Sequence, residues 1–245
     1  MLLKTESIQN ITLMQTSSID LKRIAEAARY ALLRRLAPAM RHDMASGFQP
    51  VTMMATIVEK RLLAASPDLS TLVKNSSDIR TLAVAATRSS LDLIGWMGHD
   101  KGARVGLGQG IRDALRLLAT ALSFRGFKFV NHTEGVVTEV GLDHLRGVFV
   151  AALLALTDEA AAASTANIVL TAAQDGQDML VKISLSDVGA ALGATTPHEE
   201  FLIGLAAYRK IDWDDVQAIA DVDGLSVTRE AESVMLRLPI ATAEI

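Results

Sequence analysis

The chain has 245 residues, of which 50% are hydrophobic and 21% charged, with a formal net charge of −4 and no cysteine. These values predict a globular chain of one large or two small domains, and they exclude disulfides, thiolate catalysis and cysteine metal sites. The weak acidic balance argues against nucleic acid as a main partner.

No apolar run in the sequence reaches the length of a membrane span, because charged residues interrupt the alanine-rich stretches. Residues 1–18 are polar, form a separate N-terminal segment and lack the apolar core of a signal peptide. We therefore expect a cytoplasmic protein with no membrane partner.

A long amphipathic helix is predicted from about residue 19 to residue 63. Its apolar residues recur every three or four positions, as in a helix that buries one stripe close to a heptad seam. At 1.5 Å per residue the helix spans roughly 65–70 Å, a length that indicates a bundle or a coiled coil. The stripe contains Leu33, Ala37, Met40, Met44, Phe48, Val51, Ala55, Val58 and Leu62.

His42 lies two residues from both Met40 and Met44, so it points away from this stripe. Histidine is a competent nucleophile toward phosphorus, and the adjacent Asp43 can hold its tautomer or take its proton. Arg41 can help to balance the charge of a phosphoryl group. These three residues are therefore candidates for a phosphoaccepting site, although a solvated histidine on a charged helix face explains the same pattern.

Two prolines disturb the backbone hydrogen bonding of this helix. Pro38 and Pro50 each remove a donor and crowd the carbonyl four residues earlier, and Gly47 adds a flexible point. They predict a bend, which either serves the exchange of partners at the histidine or fits the packing of a bundle.

A turn at Ser66 and Pro67 separates the first helix from a second, predicted at about 68–97. Two helices joined by a short turn form an antiparallel hairpin. One hairpin cannot bury its own stripe, so we expect residues 19–98 of two copies to pair into a four-helix bundle, which makes the chain a homodimer.

Five glycines cluster with charged residues near residues 99–110 and predict a linker there. The run from Gly106 to Gly110 is similar to a phosphate-cradling loop, but no strand precedes it and no Lys-Ser/Thr pair ends it. The five histidines show no helical ligand pairing, so no metal site is predicted.

Residues 111–245 alternate helical and strand patterns, which predicts a two-layer α/β sandwich. Asp175 and Gly176 predict the turn of a β-hairpin, while Asp212 and Asp215 predict a capping pair for a helix that stops at Gly224. The predicted helices are 111–123, 142–163, 198–208 and 212–222, and the predicted strands are 128–131, 136–140, 167–173, 179–185, 225–229 and 233–239.

The order of these elements resembles that of bacterial two-component histidine kinases from residue 19 onward. The helical hairpin is similar to the family's dimerisation and histidine-phosphotransfer domain, with His42 at the phosphoacceptor motif, although Pro50 lies farther from the histidine than the family's common proline. Residues 111–245 resemble the family's ATP-binding domain. Residues 138–146 are similar to the strand and helix entry that precede the family's asparagine-bearing helix.

Two positions of that helix depart from the family. By our alignment, Ala151 and Ala155 replace the asparagines that hold Mg²⁺ and the ATP phosphates in the family, and Mg²⁺ needs oxygen ligands. Asp158 and Glu159 lie nearby and are the alternative oxygen donors. No metal ligand is predicted in this chain.

Asp187 and Gly189 resemble the aspartate and the first glycine of the family's Asp-x-Gly-x-Gly adenine-binding box, and they are the cofactor-binding candidates. Ala191 stands at the second glycine, and an Asp-Gly pair after a strand also fits a plain turn. Gly193 and Gly204 are too far apart to form the family's phosphate lid. We therefore expect a degenerate ATPase-like domain with no certain cofactor.

The resemblance implies a histidine phosphotransferase of the dimeric ChpT type, which keeps a kinase-like bundle and a degenerate ATPase-like domain. In that role His42 Nε2 carries the phosphoryl group, Asp43 orients or deprotonates the imidazole, and Arg41 helps to neutralise charge. The implied partners are a second copy of the chain and the receiver domain of a response regulator, with a hybrid histidine kinase as a further candidate.

Two alternatives stay open at this point. The chain is a divergent but active histidine kinase that autophosphorylates His42 from Mg-ATP, or a pseudokinase that binds a kinase or regulator and performs no chemistry. The phosphotransferase and the active kinase are both enzymes, a histidine phosphotransferase and a histidine-kinase-like transferase. The pseudokinase is not an enzyme.

Overall fold

The computed structural model describes residues 2–98, 102–160, 164–190 and 209–241. The chain divides into two compact units, one of Leu36–His99 and one of Met1–Arg35 with Asp100–Ile245. The predicted helix at 198–208 lies outside the described residues, as do Ala191, Gly193 and Gly204.

The predicted hairpin is present as helices α1 (Leu2–Leu62) and α2 (Leu69–Ile94). Asp68 caps α2, because its carboxylate accepts hydrogen bonds from the backbone N–H groups of Ser70 at 3.0 Å and Thr71 at 3.4 Å. The two helices approach closely at Gly47, where an added Cβ lies 3.8 Å from Ala86.

The first helix begins at Leu2, whereas the sequence pattern placed its start at residue 19. Residues 2–18 contain neither proline nor glycine and many good helix formers, so nothing in them stops the helix. The helix also continues through Pro38 and Pro50. Leu36 and Met40 are buried on either side of Pro38, and this packing offsets the missing backbone hydrogen bond there.

The glycine run expected to be a linker is largely regular structure. Strand β1 (Arg104–Gly106) and helix α3 (Leu107–Phe124) occupy it. A Cβ at Gly108 collides with the carbonyl oxygen of Thr133 and comes within 2.9 Å of that of Glu134, and one at Gly110 collides with the Leu145 side chain. These two glycines therefore serve close packing rather than flexibility.

The α/β part contains a five-stranded mixed sheet and a separate two-stranded ribbon. The sheet has the order β2-β4-β5-β7-β6, with β2 and β4 parallel and the other pairs antiparallel, and the ribbon pairs β1 with β3. The strands after β1 are β2 (Phe127–Asn131), β3 (Glu139–Gly141), β4 (Ser164–Asp175), β5 (Asp178–Ala190), β6 (Ser226–Glu230) and β7 (Ser233–Pro239).

A single helical stretch connects β3 to β4. It consists of α4 (Leu142–His144), a π-helical turn (Leu145–Phe149) and α5 (Val150–Glu159). Every residue of α5 except Glu159 is buried, so this helix forms the centre of the core. The predicted helix at 142–163 is therefore present, with its last turn at Glu159.

Helix α6 (Trp213–Asp223) has the predicted ends. Asp212 and Asp215 form a reciprocal capping box at its start, and Gly224 adopts φ +68° at its end. The turn at Asp175 and Gly176 also connects two antiparallel strands as predicted.

One face of the sheet is buried and the other is partly exposed, as expected for a sheet covered by helices on one side. Alternate residues of the central strands point into the core, in agreement with the period of two in a strand. The buried set is Ala166, Ile168, Leu170, Met179, Val181, Ile183, Leu185, Val234, Leu236 and Leu238. No helix in the described part of the chain is long and apolar enough to cross a membrane.

Candidate functional site

His42 lies in α1 and presents its imidazole to solvent. Its side chain is 66% exposed, and its Nδ1 atom lies 3.8 Å from Oδ1 of Asp43. That separation permits electrostatic attraction but exceeds hydrogen-bond length. Arg41 is also exposed and forms no ion pair with any residue that the structure describes. The histidine is thus open to an incoming partner, and its two neighbours along the chain are a cation and a carboxylate.

Ala151 and Ala155, which our alignment sets against the asparagines of histidine kinases, lie in the interior of the α/β part. Ala151 is 0% exposed and Ala155 is 2% exposed, and both belong to the buried helix α5. Neither side chain carries an oxygen, and neither faces open space. These two side chains therefore do not fit the role of ligands for Mg²⁺ or phosphate.

The alternative oxygen donors at the end of α5 are already paired with arginines. Arg35 donates from Nη2 to both carboxylate oxygens of Asp158 at 2.8 Å, and Arg125 Nη1 donates to Oδ1 at 2.7 Å. Lys210 Nζ donates to the Asp158 carbonyl oxygen at 3.3 Å. The carboxylate of Asp158 thus accepts three hydrogen bonds and is buried between two guanidinium groups. These cations already balance its charge and would repel a metal ion, so Asp158 does not replace the missing asparagines.

Glu159 is held in a second, more exposed cluster. Arg229 Nη2 lies 2.5 Å and 2.6 Å from its two carboxylate oxygens, and the Trp213 indole N–H donates to Oε2 at 3.0 Å. The Arg229 guanidinium also stacks over the Trp213 ring at 4.7 Å from its centroid. The indole hydrogen bond, with the Arg229 charge, lowers the pKa of Glu159.

These arginines were not identified from the sequence. Two acids at the C-terminal end of a helix are unfavourable next to the partial negative charge of its carbonyls, so their presence calls for nearby cations. The Asp158 and Glu159 pair at the end of an apolar helix was therefore a signal for cationic partners. The sequence did not identify which arginines these would be, because Arg35 lies 123 residues away along the chain.

Asp187 and Gly189 both lie within β5 rather than in a turn after it. Ser186 pairs with Asn167 and Gly189 pairs with Thr165, so a bulge separates these two pairings. Asp187 occupies the bulge at φ +52°, the one non-glycine residue at positive φ among those described. Its carboxylate accepts an exposed hydrogen bond at 2.7 Å from Asn167 Nδ2 on the neighbouring strand β4.

The plain-turn interpretation of the Asp-Gly pair is wrong, because the strand continues to Ala190. Asp187 remains a candidate for contact with a base only by resemblance, since its carboxylate is engaged by Asn167. Within the described ranges, no group of three or more histidine, aspartate or glutamate side chains is placed to hold a metal ion.

No family model and no curated protein matches this chain. Its structure is similar to the catalytic domain of the histidine kinase ThkA (16% identity, 56% of this chain, 96% of that one, TM-score 0.36). It is also similar to a bacterial phosphotransferase (15% identity, 84% of this chain, 95% of that one, TM-score 0.35) and to the Acinetobacter baumannii histidine kinase AdeS (15% identity, 80% of this chain, 98% of that one, TM-score 0.37). At these TM-scores the likeness is loose and carries no argument about function.

Proposed function

We propose that this chain is a dimeric, histidine-kinase-like phosphotransfer protein of two-component signalling, in which His42 exchanges a phosphoryl group with a receiver-domain aspartate. The observation that carries the proposal is the exposed imidazole of His42 on a helical hairpin, between Arg41 and Asp43. An exposed nucleophile is what a reaction between two proteins requires, because the partner brings the second reacting group.

The proposed transfer of the phosphoryl group needs no cofactor bound to this chain. The lone pair of His42 Nε2 attacks the phosphorus of the receiver's aspartyl phosphate. A P–N bond forms as the P–O bond to the aspartate breaks, and the electron pair returns to the receiver's carboxylate. The proton on Nδ1 stays there until Asp43 or water takes it, and Arg41 offsets the negative charge of the phosphoryl group. The receiver supplies its own Mg²⁺, and the reverse step passes the group on to another receiver.

The α/β part supports a role in docking rather than in supplying phosphate. Ala151 and Ala155 offer no oxygen to Mg²⁺, and Asp158 and Glu159 are paired with arginines. Phosphoryl transfer from ATP relies on metal and charge placed around the transferred group, and these residues do not provide that arrangement. The proposed reaction therefore takes no phosphoryl group from ATP.

The hairpin supports dimerisation through its exposed apolar side chains. A single hairpin leaves such residues in water, and a second copy removes them from it. The exposed apolar residues of this unit include Phe48, Met53, Leu62, Leu69, Val73, Val84 and Leu91.

The test of the proposal is phosphorylation of the purified chain with two donors in parallel, labelled Mg-ATP and a labelled phospho-receiver. We expect label from the receiver alone, and its loss in His42→Gln. His132→Gln, which alters an exposed histidine of the α/β part, is the matched control and should label normally.

Each other result selects a different function. Label from Mg-ATP that is lost in His42→Gln makes the chain an active kinase and overturns the phosphotransferase assignment. Equal labelling of wild type and His42→Gln excludes His42 as the acceptor. If no receiver of the same organism labels the chain, the phosphotransferase assignment is overturned in favour of the pseudokinase.

A further inference from the structure

We propose that Arg35, Asp158 and Arg125 form a buried latch that holds residues 25–35 of α1 on the α/β part of the chain. Arg29 and Asp223 form a second, outer ion pair between the same segment and the α/β part. The inference goes beyond phosphotransfer, because it concerns whether the α/β part can separate from this segment at all. With the latch closed, this segment of α1 and the α/β part move together as one compact unit.

The central contact is buried on both sides. The side chains of Arg35 and Asp158 are 7% and 5% exposed, and the two bonds from Nη2 to the carboxylate are both 2.8 Å. Charged hydrogen bonds of this kind are stronger than neutral ones and set a definite geometry. If the two groups separate, either a buried charge loses a partner in a site of low dielectric constant or water must enter the site.

Apolar packing accompanies the charges. Ala25 and Ala28 are fully buried and Leu32 is nearly so. Most residues next to them on the helix, such as those at 22–24 and 26–27, are exposed. The three recur at intervals of three and four, which places them on one face of α1. This segment and residues 100–245 belong to the same compact unit. Small alanine side chains let a helix approach its neighbour closely, so the face is shaped for this contact.

The outer ion pair lies nearly two helical turns before the latch, at Arg29. Arg29 Nη2 donates to Asp223 Oδ1 at 2.5 Å, with both side chains partly buried. Asp223 is the last residue of α6, while Asp158 lies at the end of α5. The segment is therefore fastened to the C-terminal ends of two different helices, which restricts rotation as well as separation.

Asp158 has partners of its own within the α/β part. Arg125 Nη1 donates to Oδ1 at 2.7 Å, and Arg125 Nη2 donates to the Thr157 carbonyl oxygen at 2.5 Å. Removal of Arg35 therefore leaves Asp158 paired with an arginine, so the α/β part should still fold. Arg35→Met opens the latch from the side of α1 alone and keeps much of the buried volume.

The absence of cysteine from the chain permits a direct reporter of opening. Ala28→Cys places a lone thiol at a position that is 0% exposed, where a soluble thiol reagent reacts only when the segment lifts away. In the full-length chain, we expect Arg35→Met to raise the labelling rate on the order of 100-fold, since the variant loses both charged hydrogen bonds from Arg35 to Asp158. Arg29→Met should give a smaller rise.

The control is Arg23→Met, which alters an exposed arginine of the same helix whose ion pair is with Asp20 of that helix, and it should leave the labelling rate unchanged. Amide hydrogen exchange of β4 and β5, followed in the same variants, should also stay unchanged. If Ala28→Cys fails to fold, exchange of the amides of residues 25–35 in cysteine-free Arg35→Met replaces the thiol as reporter.

Three results overturn the latch. The first is a labelling or exchange rate in Arg35→Met that matches wild type. The second is an equal rise in Arg23→Met, which means that the helix frays for other reasons. The third is an equal rise in the exchange of β4 and β5, which means global unfolding. Because these readouts need no phosphoryl donor, failure of phosphotransfer does not affect them.

Discussion

Nδ1 of His42 lies 3.8 Å from Oδ1 of Asp43, a separation at which the two side chains attract each other without a hydrogen bond. The reason is helical geometry, since consecutive residues point about 100° apart and do not face each other. Asp43 can shorten this distance by a change of rotamer, and its side chain is 30% exposed and has room to do so.

Asp43→Asn should slow phosphotransfer to His42 by about 100-fold, because a positioned carboxylate that orients the imidazole or takes its proton contributes at about that level. The measurement is the rate of label transfer from a phospho-receiver, with circular dichroism to show an intact helix. Asp92→Asn, at an exposed carboxylate of α2, is the matched control and should transfer at the wild-type rate. An unchanged rate in Asp43→Asn contradicts a role for this carboxylate.

A second prediction concerns Asn75, which is buried in α2. It is 7% exposed, and its Nδ2 atom has no hydrogen-bond partner among the described residues. A buried donor without a partner loses its hydration and gains nothing in return. Asn75→Leu should therefore raise the free energy of unfolding by about 1–2 kcal/mol, measured by urea denaturation.

Asn75→Ala is the companion variant, since it removes the amide without filling its space and should gain less than Asn75→Leu. A loss of stability in both variants that deepens on dilution of the protein contradicts the prediction. That result means that the amide is satisfied by a second copy of the chain, as a polar residue in a helix seam can be.

Local signals were predicted well from the sequence. Asp212 and Asp215 were expected to cap α6 because a capping box is set by residues three apart, and the structure has both of its hydrogen bonds. The hairpin turn at Gly176 could be predicted for the same reason, because it is determined by the few residues between Asp175 and Asp178. The helix containing His42 was identified from its apolar spacing for the same reason.

Features that depend on distant residues were not predictable in this way. Gly110 was interpreted as part of a linker. The structure shows instead that a side chain at this position would collide with Leu145, a residue far along the chain that no local pattern connects to it. The partners of Asp158 come from α1 and α3, and no sequence pattern links them. The role of His42 itself stays a prediction, because exposure permits the reaction without demonstrating it.

A third prediction tests whether the glycine run serves packing. In Gly108→Ala the new methyl collides with the Thr133 carbonyl and approaches that of Glu134 to 2.9 Å. Backbone carbonyls cannot rotate away as side chains do, so the collision should outweigh the gain of about 1 kcal/mol from alanine in a helix. We expect a net loss of about 1–2 kcal/mol in the free energy of unfolding, measured by urea denaturation.

Gly135→Ala is the control for this variant, because a Cβ there meets nothing within 4 Å. It should change the stability by less than about 0.5 kcal/mol. If Gly108→Ala is as stable as Gly135→Ala, then α3 shifts freely and the run behaves as the linker that its composition suggests.

The fourth prediction concerns Asp68, which caps α2. The hydroxyl hydrogen bond from Thr71 Oγ1 at 2.6 Å, followed by that from Ser70 Oγ at 2.7 Å, lowers the pKa of Asp68 from 3.8 to about 2. Because the folded pKa lies below the unfolded one, the stabilisation is fully present above pH 3.8. It is lost as the pH falls from there toward 2.

Asp68→Asn keeps a capping side chain and removes the charge, so it should lower the melting temperature at pH 7 and remove this part of its dependence on pH. Thermal melts of wild type and variant between pH 2 and pH 7 give the measurement. The two melting temperatures should converge as the pH falls from 3.8 toward 2, since the wild-type carboxyl takes up its proton first in the unfolded chain and then in the folded one. A difference that stays constant over this range contradicts the assignment, because it means that the charge of Asp68 contributes nothing to the cap.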